Sequence, residues 1–142
     1  MENRKGERKT EENQPDPRQW KVLLVDEDYQ YLLKQARILR RHGLDVLPCD
    51  SYDESMIRLD SEHFDLIIVS QGSHGFEGRT VLEHVSETGS GAPVVVVATH
   101  ADIPCYLEAM NLGAADYLEQ PLAGSDVEKV KVRFLEARIG NA

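Results

Sequence analysis

The stretch Leu66-Ile67-Ile68-Val69, entered at Asp65 and closed by Ser70, limits the folds open to this chain more than any other. Four large apolar residues in a row, three of them β-branched, leave no polar side, so a strand built from them must be covered on both faces. It runs into Gln71-Gly72-Ser73-His74-Gly75-Phe76-Glu77-Gly78, whose three glycines suit an exposed loop, and then into the helical Arg79-Thr80-Val81-Leu82-Glu83-His84-Val85. Strand, loop, helix is the repeating unit of an open α/β sheet. In such sheets reactive groups gather at the carboxyl ends of strands, so Ser70 is the first place to look for chemistry.

The rest of the chain repeats this unit. Lys21–Val25 reads as a first buried strand delivering Asp26-Glu27-Asp28, and Asp45–Cys49 as a short second strand whose Pro48 favours an edge position. Pro93–Val97 is the fourth strand, since no helix favours four consecutive valines, and Asp116–Leu118 is a fifth. Helices are expected over 29–42, 51–61, 78–87, 102–112 and 125–139, with Gly43 and Gly113 as stops. In the last helix Val127, Val130, Phe134 and Leu135 are expected to face inward. Five strands alternating with five helices imply an α/β fold, a doubly wound parallel sheet with right-handed crossovers, over residues 20–142.

Residues 1–19 contain five basic and five acidic residues, two prolines and no aliphatic or aromatic side chain after Met1, which predicts a disordered charged extension. The whole formal charge of −9 therefore falls on the folded part. Such a surface repels phosphate backbones and argues against nucleic-acid binding. No apolar run approaches the roughly 18–20 residues that span a bilayer, and the N-terminus carries no apolar signal core. A cytoplasmic protein that makes no membrane contact is the expectation. Cys49 and Cys105 lie in different elements and read as reduced structural thiols.

Several pieces, in order and at consistent spacing, resemble the receiver domain of two-component response regulators over residues 20–139. They are Val22-Leu23-Leu24-Val25-Asp26-Glu27-Asp28, Phe64-Asp65-Leu66-Ile67-Ile68-Val69 with Gly78, Pro93 before the valine strand, and Leu112-Gly113-Ala114-Ala115-Asp116-Tyr117-Leu118-Glu119-Gln120-Pro121-Leu122. The resemblance implies the flavodoxin-like receiver fold and a role in phosphorelay signal transduction. It also implies five working parts: a phosphoacceptor aspartate ending the third strand, two acidic residues that join it in holding Mg²⁺, a hydroxyl after the fourth strand, and a lysine before a proline after the fifth.

Carried over by position, Asp26 and Glu27 form the acidic pair, and Ser70, Ala98 and Gln120 stand at the acceptor, hydroxyl and lysine positions. Pro121 keeps the proline and Tyr117 the switch aromatic. Three of the five parts are thus changed in kind. A serine hydroxyl needs a neighbouring base to act as a nucleophile, and its presence leaves only Asp26 and Glu27 as candidate Mg²⁺ ligands. Gln120 removes the cation that would neutralise a transferred phosphoryl group. Thr99 lies one residue late for the hydroxyl and is expected to point away, as alternate strand residues do.

The resemblance then implies a degenerate, or pseudo-, receiver with no cofactor and no enzyme activity, acting through protein–protein interaction. Its implied partners are a histidine kinase, an output protein or a second copy of the chain. The family's usual partner surface, made by the fourth helix, fifth strand and fifth helix, would carry Tyr106, Tyr117, Lys129 and Arg133. Because the chain ends soon after the last helix, a stand-alone module is expected.

Other readings of the carboxyl edge compete with this one. Ser73–Thr80 is similar to a phosphate-binding loop, G-x-x-x-x-G-K-[ST], but has Ser73 for the first glycine and Arg79 for the lysine. His74 and His100, with Asp26 and Glu27, offer a donor set for a transition metal. Asp26 and Glu27 could instead cap the first helix.

Overall fold

A computed structural model describes residues 19–137. The charged segment 1–19 lies outside them except for Gln19, as do the last residues of the helix expected to reach Ile139. Five strands form, β1 (Lys21–Val25), β2 (Asp45–Cys49), β3 (Leu66–Ser70), β4 (Val94–Ala98) and β5 (Asp116–Glu119). They alternate with α1 (Tyr29–Arg41), α2 (Tyr52–Ser61), α3 (Arg79–Thr88), α4 (Ile103–Asn111) and α5 (Gly124–Val130). All pairings are parallel, in the order β2-β1-β3-β4-β5. This is the doubly wound sheet that the apolar runs imply, and Pro48 does sit on an edge strand, β2.

Alternation along the central strands builds two cores. Leu23, Val25, Ile67, Val69, Val94 and Val96 point to one face, where Phe76, Leu82 and Val85 of the α3 side and Cys105 and Ala109 of α4 cover them. Val22, Leu24, Leu66, Ile68, Val95 and Val97 point to the other, beneath Leu32, Ala36 and Leu39 of α1 and Val127, Val130 and Leu135 of the last helix. Burial on both faces is why these strands tolerate no polar alternation. Both cysteines are free and buried. No helix among the described residues is long and apolar enough to cross a membrane.

Caps set where the helices start. Ser51 accepts from the Glu54 N–H at 3.1 Å and opens α2, and Asp102 accepts from the Cys105 N–H at 2.7 Å and opens α4. α1 is capped by Asp28, which accepts from the Gln30 and Tyr31 N–H groups. That corrects the expectation that Asp26 and Glu27 cap α1: both precede the residue whose geometry allows it.

The last helix also departs from expectation. Beyond α5 the chain widens into a π-helical stretch, Lys131–Glu136. Val130 and Leu135, five residues apart, are both buried, while Phe134, which an α-helix would align with Val130, is only partly so. The wider turn brings Leu135 to the core face.

Candidate functional site

Because β2 lies on one side of β1 and β3 on the other, the chain reverses direction across the sheet between β1 and β3. A crevice opens above the carboxyl ends of these strands. The ladder carries the key residues to its rim: Asp26 N–H donates to Cys49 O at 3.0 Å, Gln71 N–H to Val97 O at 2.7 Å and Gln120 N–H to Ala98 O at 2.9 Å.

Asp26 and Gln120 meet across this crevice. The Gln120 Nε2 donates to Asp26 Oδ2 at 3.1 Å, and the Asp28 N–H donates to Asp26 Oδ1 at 2.9 Å. Burial pushes the Asp26 carboxyl up from its ordinary value, against the opposing pull of these two hydrogen bonds. The Thr99 hydroxyl donates to Gln120 Oε1 at 3.0 Å. Thr99 thus faces the pocket rim rather than away from it, because β4 ends at Ala98 and strand alternation no longer governs the next residue.

Ser70 is buried, and its Oγ accepts from the Gly72 N–H at 3.1 Å. Its carbonyl accepts from the Tyr52 hydroxyl at 3.0 Å, and burial pushes that phenol up to about 12. Gly78 is held against the same carbonyl so closely that a Cβ there would lie 2.1 Å from Ser70 O. Glycine is needed at 78 for close approach, not for an unusual φ. Ala98 is fully buried, Glu27 is exposed, and Pro121 follows Gln120 through a cis peptide bond. No bond joins Ser70 or Glu27 to Asp26 or Gln120 among the hydrogen bonds of the described residues. The structure therefore joins Asp26 and Gln120 through their side chains and Gln120 to Ala98 through the backbone, and leaves Ser70 and Glu27 beside them.

The loop after β3 does not form a phosphate cradle. Its amides are already occupied: Ser73 N–H donates to Glu77 Oε1 at 2.7 Å, Gly75 N–H to Ser73 Oγ, Phe76 N–H to Ser73 O and Gly78 N–H to Gln71 O. The Ser73 hydroxyl also donates to Glu77 Oε2 at 2.7 Å, and these bonds hold the Glu77 carboxyl below its ordinary value. The Glu77 carboxylate thus takes the Ser73 donors, and oxygens of Ser73 and Gln71 take the other three amides. Arg79 turns away to pair with Glu108 on α4. His74 pairs through Nδ1 with Asp102, its ring 6.5 Å from that of His100, and neither meets Asp26. No group of three or more His, Cys, Asp or Glu is arranged to hold a metal among the described residues.

Gln71 is a site residue that sequence reasoning misses. It is wholly buried, yet its amide nitrogen donates to Ser73 O at 3.2 Å and His100 O at 3.4 Å, while its oxygen accepts from the Tyr117 hydroxyl. The available signal is a polar residue directly after an all-apolar strand. On the outer side, Tyr106 packs edge-on against Tyr117 with ring centroids 5.6 Å apart, and Arg133 pairs with Asp116 at 3.0 Å. Lys129 is exposed on α5.

Comparison with known proteins bears on the family and fold that carry this site. The response regulator receiver domain family matches residues 22–130. The chain is 31% identical over 108 residues to the transcriptional regulatory protein FixJ of Azorhizobium caulinodans, covering 74% of this chain and 50% of that protein. It is 25% identical over 101 residues to the transcriptional regulatory protein ZraR of Escherichia coli K12, covering 71% of this chain and 23% of that protein. The chain thus spans half or less of these relatives.

Among solved structures, a CheY-like receiver domain from Methanospirillum hungatei superposes with a TM-score of 0.76 at 24% identity, covering 86% of this chain and 98% of that one. A Burkholderia pseudomallei response regulator, solved with a phosphorylated aspartic acid and a calcium ion, gives a TM-score of 0.70 at 23% identity, covering 87% and 73%. These likenesses concern the fold. Together with the family match, they make the chain a member of the receiver-domain family of response regulators in two-component signalling.

Proposed function

We propose that this is a degenerate receiver that signals by phosphorylation-independent contact with a protein partner in the cytoplasm. One observation carries the reading: the lysine position holds Gln120, whose amide bonds the buried Asp26 directly, while Ser70 stands where the acceptor aspartate would be. A neutral amide satisfies Asp26 without a cation, and the missing charges at positions 70 and 120 offset each other, so neither is stranded in the pocket. The surface of α4, β5 and α5 is then the working part, presented to a histidine kinase, an output protein or a second copy of the chain.

The test is a titration with Mg²⁺ and acetyl phosphate, following backbone amide shifts in the native protein and in the Ser70→Asp, Gln120→Lys variant. The native protein is expected to stay silent and the variant to respond. A native response centred on Ser70 and Ala98 would overturn the proposal.

A further inference from the structure

Gln71 has every hydrogen-bonding group engaged. Its N–H donates to Val97 O at 2.7 Å, and its carbonyl accepts from the Gly78 N–H at 3.1 Å. Its side-chain amide reaches the β3–α3 loop at Ser73 O, the β4–α4 loop at His100 O, and β5 at the Tyr117 hydroxyl. Three segments of the carboxyl edge are therefore tied to one buried side chain. Polar side chains are seldom wholly buried unless fully bonded, and a fully bonded one has little freedom to move.

Tyr117 is held from the other side as well. Its hydroxyl accepts from the Asp102 N–H at 3.3 Å, at the residue that caps α4 and pairs with His74. Its ring meets the half-exposed Tyr106 on the outer face of α4. A continuous set of contacts thus runs from the end of β3 to the protein surface. Swinging Tyr117 outward would leave the Gln71 oxygen buried without a donor, which favours the inward position by roughly tenfold or more.

We propose that Gln71 is a fixed clasp that holds the Tyr117 hydroxyl inward and so presents the α4–β5 surface in one conformation, with no phosphoryl signal required. The proposal rests on the reading of that surface as the partner-binding face. Gln71 is a positioning residue in this scheme: it touches no partner and acts through Tyr117.

The experiment uses the full chain with Gln71→Met, Tyr117→Phe and both together. Gln71→Met keeps the side-chain volume, and Tyr117→Phe removes only the hydroxyl, which keeps the test alive if the first variant folds poorly. Each single variant is expected to shift the same amides, at Ser73, His100, Asp102 and along α4 to Tyr106, and to move the Tyr106 ring resonances. Hydrogen-exchange protection at the start of α4 should fall by roughly tenfold. The double variant should fall well short of the sum of the singles, because the Gln71–Tyr117 bond is lost only once, while each change also removes bonds of its own.

Shifts confined to residues 70–73 in Gln71→Met, or additive effects in the double variant, would overturn the clasp. Acetyl phosphate with Mg²⁺ separates the two proposals. A wild-type response at Ser70 would overturn the phosphorylation-independent function, whereas the comparison among variants judges the clasp by itself.

Discussion

At the level of single residues, Asp26 is the group whose environment works against its charge. Burial raises its carboxyl above the ordinary 3.8, so the folded protein holds that proton more tightly than the unfolded chain does. The associated stabilisation is complete below the unfolded-chain value and is lost as pH rises through the raised folded value. The Asp26→Asn variant would carry no such dependence, and the Gln120 amide can turn over to meet the new side chain because the Thr99 hydroxyl both donates and accepts. Relative to Asp26→Asn, the native protein is therefore expected to lose stability as pH rises above the unfolded-chain value of 3.8 and through the raised folded one, in urea unfolding. Parallel curves for the two proteins would contradict this.

Among the elements, the caps and the last helix make the sharpest predictions. Asp102 opens α4 and also receives His74; the Cys105 N–H and then His74 hold its carboxyl below the ordinary value. Asp102→Ala, which removes the cap of α4, should lower the midpoint of chemical denaturation near neutral pH. This contribution is present above the unfolded-chain value of 3.8 and should fade as pH drops through the lowered folded one. In the π-helical stretch, Leu135→Ala should cost about 2–4 kcal/mol and Phe134→Ala clearly less. An uninterrupted α-helix would reverse that ranking, so the pair of variants tests the widened turn directly.

Across the molecule as a whole, α4 turns an apolar face largely to solvent among the described residues, with Tyr117 meeting it only at Tyr106. Ile103, Tyr106, Leu107 and Met110 recur along α4 at helical spacing and remain exposed, Ile103 at 72% and Leu107 at 54%. Ile103→Ser with Leu107→Ser is expected to change unfolding by no more than about 0.5 kcal/mol, since little burial is lost. The same change should weaken association with a histidine kinase or with a second copy, read by sedimentation. Unchanged sedimentation of mixtures that do associate would rule this face out.

The architecture was legible from the residues in order. Runs such as Leu66–Val69 and Val94–Val97 have no polar side, so only a sheet covered on both faces satisfies them, and apolar spacing with stopping glycines then places the first four helices within a residue or two. The resemblance to receiver domains marked Asp26, Ser70, Ala98 and Gln120 as one neighbourhood, and each follows or ends a parallel strand.

The bonding among those residues came only from the packed fold. Whether Gln120 meets Asp26, Glu77 fills its own loop or Gln71 reaches Tyr117 depends on side chains 94, 4 and 46 positions apart converging within hydrogen-bond distance. Periodicity is a property of one segment and carries no such information. The same limit explains the misplaced α1 cap, the turn of Thr99 toward the pocket and the π-helical stretch.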